Sequence, residues 1–251
     1  MMYDMIAPFY DVVNKDIDYK KWADFIEECF RRNMSEKPEL VLDLASGTGQ
    51  MTIELASRGY DMTGVDISTE MLQISREKAE KAGQKNILWL CQDIREFELY
   101  GTVDAAVCCL DSVNHITRKA DLLKFFSLVH NYLIPDGLFV FDVNARGKFE
   151  RVYGNNSYVM ELSDYVCIWQ NFYNEKTKIC DFLITLFKDI GGVYERYEET
   201  GRERMYTIRA LRSALVSTGF EVLGAYSDFN FSAASDDGCD RIYVVARCKK
   251  P

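Results

Sequence analysis

The stretch Leu40-Val-Leu-Asp-Leu-Ala-Ser-Gly-Thr-Gly-Gln50, followed by Val65-Asp-Ile67, decides how this chain folds. The first apolar run ends in a turn of small residues that contains Gly47 and Gly49. Glycines in such a turn let the backbone approach a ligand, and the helix that begins there points its N–H groups the same way. Asp66 ends the next apolar run, where a carboxylate can accept both hydroxyl groups of a ribose. These features predict a site for a nucleoside-bearing cofactor at the carboxyl edge of a parallel sheet.

A dinucleotide is one cofactor that such a loop could bind. The dinucleotide fingerprint G-x-G-x-x-G/A has a small residue at its last position, where the helix packs against the strand. Reading from Gly47, this chain has Thr52 at that position, so the match is weak. An oxidoreductase that uses a nicotinamide dinucleotide therefore remains an alternative rather than the preferred interpretation.

The run from Asp43 to Gly49 resembles motif I of the class I S-adenosylmethionine-dependent methyltransferases. That family usually has Gly at the position of Ala45, and alanine is tolerated there if its φ angle is negative. The resemblance covers residues 38–145 and 205–248 and implies S-adenosyl-L-methionine as the cofactor. A protein that binds this cofactor without catalysing methyl transfer is a further alternative.

Composition favours a small molecule as the substrate. The chain has 251 residues and a net charge of −9, whereas nucleic acids bind to basic surfaces, so we expect no nucleic-acid partner. No apolar run approaches the ~20 residues that span a bilayer, and the N-terminus lacks the pattern of a secretory signal. We therefore expect a cytoplasmic monomer or homodimer that has no membrane partner and binds a small-molecule methyl acceptor.

The cysteines and histidines do not suggest a metal site. Eight cysteines are scattered along the chain without a C-x-x-C pair, which is typical of buried, reduced thiols in a cytoplasmic protein. The two histidines are far apart in sequence and are not grouped with cysteines. We expect no metal cofactor.

Strands alternate with helices through the first part of the chain. The predicted strands are 40–44, 62–66, 87–91, 103–109 and 138–143, and the predicted helices are 16–33, 50–58, 69–81 and 121–133. Ser68 is expected to cap the helix that begins at Thr69. This alternation predicts an α/β fold with a doubly wound, mostly parallel sheet.

The pattern changes after Asn144. Between Tyr158 and Tyr206, β-branched and aromatic residues alternate, and turn residues at 174–177 and 189–192 separate the runs. This pattern predicts an antiparallel β insertion. A helix at 207–217 and strands at 220–226 and 241–248 are expected to follow. The resemblance implies that these complete a seven-stranded sheet whose last strand is antiparallel.

We therefore expect three parts. They are an N-terminal helical cap over residues 1–37, a cofactor-binding Rossmann-like domain over 38–148 and 205–251, and an antiparallel β lid over 149–204. The cap and the lid are similar to those of small-molecule methyltransferases, including the glycine N-methyltransferase-like group.

Cofactor contacts are expected mainly from the loops that follow the first three strands. The resemblance implies that Asp93 accepts a hydrogen bond from the adenine amino group while Ile94 packs on the ring. Asp43 could hold the loop or reach the methionine ammonium through water, and both roles stay open. Tyr10 and Tyr19 could stabilise the sulfonium by cation–π contact or could pack the helix. The full predicted set is Tyr10, Tyr19, Asp43, Ala45, Ser46, Gly47, Gly49, Asp66, Ile67, Met71, Asp93, Ile94 and Leu110.

Candidate catalytic residues follow the fourth strand. Methyl transfer requires alignment of the acceptor atom with the S–CH₃ bond and exclusion of water. The predicted catalytic residues are Asp111, Asn114 and His115, of which His115 could accept a proton from the acceptor or could be structural. The predicted substrate contacts are Asn144, Arg204 and Tyr206. Arg204 could bind a carboxylate or could pair with the acidic run at 195–199. The expected acceptor atom is nitrogen or oxygen.

Overall fold

Strands and helices alternate in the structure between residues 40 and 144, as the sequence predicts. The computed structural model describes residues 7–162 and 164–250. The strands are β1 (Leu40–Leu44), β2 (Asp61–Asp66), β3 (Leu88–Cys91), β4 (Val103–Cys108), β5 (Leu133–Asn144), β6 (Ser157–Leu162), β7 (Tyr165–Asn174), β8 (Ile179–Asp189), β9 (Tyr194–Arg204), β10 (Phe220–Tyr226) and β11 (Arg241–Cys248). The helices are α1 (Tyr10–Val13), α2 (Tyr19–Asn33), α3 (Gln50–Ser57), α4 (Thr69–Lys81), α5 (Lys119–Tyr132) and α6 (Ile208–Ser217). Short 3₁₀ turns lie at Ala7–Phe9 and Ser112–His115, and a π-helical turn lies at Lys148–Tyr153.

The main sheet has seven strands in the order β10-β11-β5-β4-β1-β2-β3. Strands β1 to β5 are parallel, whereas β11 runs antiparallel to both of its neighbours. The predicted fold class is confirmed, including the antiparallel last strand. Because β1 lies between β4 and β2, the loops that leave these strands meet at one edge of the sheet, where α/β proteins bind ligands.

Helices cover both faces of this sheet. Val41 of β1 packs with α2 and α3 on one face, and its neighbours Leu42 and Leu44 belong to the core on the other face, beside α5 and α6. Side chains that alternate along β1 therefore contribute to the hydrophobic cores on both faces of the sheet. This is expected for parallel strands that are buried on each side. None of the helices in the described ranges is both long enough and apolar enough to cross a membrane.

Strand β5 begins earlier than its sequence indicates. Pro135 and Gly137 predict the end of a helix, but the strand already pairs with β4 at Leu133 and contains a register shift before Leu138. A side chain at Gly137 would place its Cβ only 2.7 Å from the carbonyl oxygen of Asp104, so the irregular pairing depends on glycine here. An irregularity in the pairing of β4 with β5 accommodates these residues.

A second sheet contains β6, β7, β8 and β9 as an antiparallel meander. Both predicted turns are present. Asp189 Oδ1 accepts hydrogen bonds from the backbone N–H groups of Gly191 and Gly192 at 2.9 and 2.8 Å. Asn174 Oδ1 accepts from two backbone N–H groups of its own turn at 3.0 and 3.1 Å. The predicted β insertion is confirmed.

The N-terminal segment connects the two sheets. Phe9 is buried against Phe182, Ile184 and other residues of the second sheet, and its ring lies 4.9 Å from that of Tyr165 in an edge-on arrangement. Two residues later, Asp11 accepts a hydrogen bond from the hydroxyl of Thr48 in the loop after β1, at 2.7 Å. One short segment therefore holds the second sheet over the carboxyl edge of the main sheet.

Replacing Phe9 with alanine tests this connection. Removal of a buried aromatic ring costs about 3 kcal/mol or more of packing free energy, so we expect the segment to detach locally. Hydrogen–deuterium exchange should then increase in residues 7–13 and in β7 and β8, but not in β1 and β2. Phe172→Ala on β7 is the matched control, because that ring is 52% exposed. Unchanged protection of residues 7–13 in the Phe9 variant would contradict this account.

Candidate active site

A cavity of about 470 Å³ lies over the carboxyl edge of the main sheet. Its volume is in the range of small-molecule and cofactor sites. The cavity is bordered by the loops after β1, β2, β3 and β4, by the N-terminal segment, and by the inner face of the second sheet. Of the predicted site residues, it is lined by Tyr10, Ala45, Gly47, Asp66, Ile67, Met71, Asp93, Ile94, Leu110, Asp111 and His115.

Asp66 holds two loops together at the floor of this cavity. Its carboxylate accepts hydrogen bonds from the backbone N–H groups of Gly47, at 2.8 Å, and Ser68, at 2.9 Å. The side chain is only 8% exposed, yet it borders the cavity. Each carboxylate oxygen can accept more than one hydrogen bond. The group is therefore suited to bind hydroxyl groups while it also fixes the loop after β1.

The loop after β1 has a backbone conformation that the sequence analysis did not anticipate. Ala45 has a φ angle of +58°, so the negative φ under which alanine would be tolerated at this position is not met. Gly47 and Gly49, at +55° and +77°, lie in the same left-handed region. A residue other than glycine costs roughly 1–2 kcal/mol there. This cost explains why glycine is usual at the position in similar loops.

A smaller pocket adjoins the cavity on the side of β1. Tyr19, Asp43 and Ser46 line it, so three more predicted residues lie at the site, whereas Gly49 begins α3 and lines neither space. Asp43 is buried and accepts a hydrogen bond from the hydroxyl of Thr52 at 2.5 Å. Burial raises the pKa of Asp43 to about 7, although the bond from Thr52 opposes this shift. The bond joins β1 to α3, and both predicted roles of Asp43, holding the loop and contact with an ammonium group, stay predictions.

Asp93 and Ile94 line the cavity from the loop after β3. The carboxylate of Asp93 accepts hydrogen bonds from the backbone N–H and the side-chain Nε of Arg95, both at 2.9 Å. The hydrogen bonds from Arg95 lower the pKa of Asp93, so it is charged at neutral pH. Binding of an amino group at Asp93 remains a prediction, and it would share this carboxylate with Arg95.

A buried ion-pair cluster follows β4. Leu110 and Asp111 both have left-handed backbones, with φ angles of +58° and +55°. The carboxylate of Asp111 lies 2.7 Å from the guanidinium of Arg241, which also pairs with Asp142. Burial alone would raise the pKa of Asp111, but the positive charge of Arg241 holds it at about 2. Asp111 is therefore too acidic to serve as a general base near neutral pH, and its ion pair favours a role in positioning this loop and Arg241; a catalytic role stays a prediction.

His115 borders the cavity beside this cluster. Its Nδ1 lies 3.3 Å from the carbonyl oxygen of Arg202, and its ring meets Phe182 edge-on at 6.1 Å. Burial lowers the pKa of His115, although the charge of Asp111 opposes the shift, so the imidazole is neutral at neutral pH. If Nδ1 donates to the carbonyl of Arg202, the lone pair is on Nε2, as proton acceptance requires.

The predicted catalytic residue Asn114 and the predicted substrate contacts Asn144, Arg204 and Tyr206 line neither the cavity nor the smaller pocket. Asn114 donates to the carbonyl oxygen of Arg204 at 2.8 Å and accepts from the backbone N–H of Asn144 at 2.8 Å. The guanidinium of Arg204 donates to the carbonyl of Thr117 at 2.5 Å, and the hydroxyl of Tyr206 donates to the carbonyl of Ile116. These side chains connect β5 and β9 to the turn after β4. The structure therefore favours a role in positioning these segments over direct contact with a substrate.

Sequence reasoning missed several cavity residues. They are Lys148, Tyr153, Trp169, Ile184, Leu186, Glu203 and Arg241. One signal was available for Glu203, because alternation along β9 places it on the opposite face from Arg202 and Arg204. For Arg241, the first residue of β11, only the sheet order reveals that it lies beside Asp142 of β5.

Asp111, His115 and Glu203 have potential metal-binding atoms within 4.8 Å of one another. Asp111 is, however, already paired with the guanidinium of Arg241. A metal ion at this position would face that fixed positive charge at short range and would compete with it for the carboxylate. The cluster is therefore better suited to handle protons than to bind a divalent cation.

Comparisons with known proteins agree with this arrangement. A family model described as "Methyltransferase domain" matches residues 41–137. The crystal structure of an S-adenosylmethionine-dependent methyltransferase from Clostridium acetobutylicum ATCC 824 is 31% identical, with a TM-score of 0.88 and 99% of each chain covered. YqeM of Bacillus subtilis (strain 168), itself a candidate methyltransferase, is 31% identical over 100% of this chain and 98% of its own length. This chain belongs to the class I S-adenosylmethionine-dependent methyltransferases.

A further relative bears a specific name. A glycine/sarcosine N-methyltransferase of Halorhodospira halochloris is 30% identical, and the match covers 94% of this chain and 85% of that protein. Together, these matches confirm the resemblance to the methyltransferase family and S-adenosyl-L-methionine as its cofactor.

The residues present fit this cofactor. The hydroxyl of Ser46 is buried in the smaller pocket and has no hydrogen-bond partner within residues 7–162 and 164–250. An unpaired buried hydroxyl is unfavourable, and a polar group of a ligand would satisfy it. Asp66 and the backbone of the glycine loop lie within the same continuous region. In a methyltransferase, these groups would hold the methionine and ribose parts of the cofactor.

Replacing Asp66 with alanine tests the ribose assignment. Two charge-assisted hydrogen bonds would be lost, so we expect the affinity for S-adenosyl-L-methionine to fall by roughly 2–4 kcal/mol. The melting temperature should also fall, because Gly47 and Ser68 lose their shared acceptor. Asp61→Ala, at the exposed start of the same strand, is the control. Titration calorimetry measures the affinity, and an unchanged value for Asp66→Ala would exclude this role.

Proposed function

We propose that this protein transfers the methyl group of S-adenosyl-L-methionine to a nitrogen or oxygen atom of a small molecule. The observation that carries this proposal is the continuity of one cavity between two chemically different regions. Asp66 and Ala45 lie at its cofactor end, and His115 and Glu203 lie at its other end. A bound methyl donor would thus lie beside groups that can accept a proton.

The cavity is also suited to exclude water. The cofactor supplies an activated methyl group, so the protein must mainly align the acceptor and keep water out. Trp169, Ile184 and Leu186 of the second sheet and Val13 and Ile17 of the N-terminal region line the cavity. These contacts support a lid role for residues 149–204 and a cap role for residues 1–37. In this division, residues 38–148 and 205–251 form the cofactor-binding domain.

A small acceptor is supported by two observations. The cavity is bordered by side chains from both sheets, which leaves a bounded space rather than an open groove. The net charge of −9 is unfavourable for binding a nucleic acid. The named activity of the Halorhodospira relative supports nitrogen as the acceptor atom.

The function is tested in two steps. Titration calorimetry should first detect binding of S-adenosyl-L-methionine to the purified protein. The protein should then transfer an isotope-labelled methyl group from this cofactor to a compound in a metabolite extract, and mass spectrometry should locate the label on nitrogen or oxygen. Binding without transfer to any compound in the extract would support the non-catalytic alternative, and label on carbon would exclude the proposed acceptor class.

His115→Asn tests proton acceptance at the site. An imidazolium cannot accept a proton, so the wild-type rate should fall as the pH drops through the pKa of His115, which burial places below its usual 6.5. The variant should lose this acidic limb, and its kcat should decrease by ~10²–10⁴. Its affinity for the cofactor should stay within a few-fold of the wild-type value.

His130→Asn is the matched control for this pH profile. His130 is the other histidine of the chain, and its Nε2 lies 2.9 Å from the carbonyl oxygen of Lys249, away from the cavity lining. The acidic limb of the pH–rate profile should be unchanged in the His130→Asn variant. If His115→Asn kept both the wild-type kcat and the wild-type pH profile, His115 would not be the proton acceptor.

A further inference from the structure

Glu203 places a buried carboxyl group in the wall of the cavity. Its side chain is 2% exposed, and it lies near the end of β9, beside His115 and Asp111. The amide Nδ2 of Asn144 donates to Glu203 Oε2 at 3.1 Å, and the hydroxyl of Tyr153 lies 3.4 Å from Oε1. Two elements thus fix the carboxyl group, namely β5 and the π-helical turn.

Nearby positive charges are committed to other partners. Arg241 pairs with Asp111 and Asp142, and Lys148 donates to Asn144 Oδ1 at 3.0 Å. In sequence, Glu203 is flanked by two arginines. Arg202 pairs with Asp181 at 2.6 Å. Arg204 donates to backbone carbonyl groups. Across residues 7–162 and 164–250, no ion pair includes Glu203.

The environment of Glu203 favours its neutral form. Burial is the main cause and raises its pKa to about 8, and the negative charge of Asp111 acts in the same direction. The hydrogen bond from Asn144 and the charges of Lys148 and Arg241 oppose the shift. His115 is neutral and adds no compensating charge. A buried, uncompensated carboxyl group is stabilised by a cation that enters the cavity.

We propose that Glu203 binds the ammonium group of an amine acceptor and takes its proton before methyl transfer. This inference rests on the proposed methyl transfer and narrows its acceptor to a primary or secondary amine. His115 alone would suffice for a hydroxyl acceptor, which is uncharged. An ammonium ion brings a positive charge into a buried space, and a carboxylate compensates that charge whereas a neutral imidazole does not.

The proton balance is simple. Entry of the ammonium ion displaces the carboxyl proton of Glu203 to solvent, so that the bound pair is an ammonium ion and a carboxylate. One ammonium N–H bond then breaks and its proton moves to the carboxylate oxygen of Glu203, which leaves a lone pair on nitrogen. That lone pair forms the new N–C bond while the C–S bond of the donor breaks, and its electron pair stays on sulfur. The product is again an ammonium ion, so it keeps the charge that the methyl donor brought.

The central experiment uses the complete protein and labelled S-adenosyl-L-methionine. The probes are ethanolamine, sarcosine, glucosamine and phenethylamine, each paired with the compound in which a hydroxyl group replaces the amine. We expect the wild-type protein to label amines only, and Glu203→Gln to label them at least 100-fold more slowly. Glu195→Gln, an exposed carboxylate on the same strand, should retain the wild-type rate.

Several outcomes would overturn this inference. Label confined to hydroxyl compounds, absence of label from all four amines, or a wild-type rate for Glu203→Gln would each do so. Loss of wild-type activity in EDTA would instead assign Asp111, His115 and Glu203 to a metal ion. Different results would contradict the proposed function. They are no binding of the cofactor, or no methyl transfer to any compound in the metabolite extract.

Thermal melting provides a test that does not depend on activity. A carboxyl group that is neutral in the folded state up to about pH 8, but has its ordinary pKa of 4.5 in the unfolded state, stabilises the folded protein below pH 4.5. This contribution is lost as the pH rises from 4.5 to about 8. The melting temperature of the wild type should therefore fall relative to that of Glu203→Gln over this interval. A constant difference would show that folding does not raise the pKa of Glu203, and a carboxylate of ordinary pKa is too weak a base to take a proton from an ammonium ion.

Discussion

The active-site region depends on the ion pairs of Arg241, whose guanidinium is partly buried. The guanidinium lies between Asp111, which follows β4, and Asp142 of β5, so that one cation compensates two carboxylates. Charges that are removed from water must be paired, and loss of one partner leaves the others uncompensated. The backbone N–H of Asp111 also donates to Asp142 at 2.9 Å, which fixes the left-handed loop at Leu110 and Asp111. Both residues of that loop line the cavity.

This pairing determines the electrostatic character of the cavity. Asp111 remains ionised but compensated, whereas burial keeps His115 and Glu203 neutral. Burial also raises the pKa of Tyr10, so its ring faces the cavity in the neutral form. A neutral aromatic ring favours a cation above its face. The cavity can thus accept a positively charged methyl donor, and Glu203 is expected to ionise only when a cation enters the cavity and compensates its charge.

The sequence predicted the parts that local patterns determine. The glycine loop, Asp66 at the end of β2 and the alternation of strands with helices are encoded within short windows, and the structure brings them together as expected. The φ angle of Ala45 was not predictable in this way, because the hydrogen bonds that hold its loop, including that from Ser46 N–H to the carbonyl of Val65, come from the neighbouring strand. A family pattern could identify the position as unusual but could not give its conformation.

The sequence mostly did not predict the roles of residues whose contacts join distant parts of the chain. Asn114 and Arg204 are polar and lie near the correct strand ends, yet their hydrogen bonds join backbone segments that are 90 and 87 residues apart. Arg241 becomes a site residue only because β11 is inserted beside β5. Polarity at a strand end therefore indicates that a residue lies near the site, but it does not indicate whether the side chain faces the cavity.

The pairing register of the second sheet determines which side chain of β9 faces the cavity. Side chains alternate between the two faces of β9, so a shift of one residue would replace Glu203 in the cavity with an arginine. Gly201 pairs with Phe182 on β8, and a Cβ atom at this glycine would lie 2.0 Å from the phenylalanine ring. The ring of Phe182 therefore requires glycine opposite it, which favours this register over its neighbours. The same ring contacts His115, so a single glycine–aromatic pair aligns both candidate proton acceptors with the cavity.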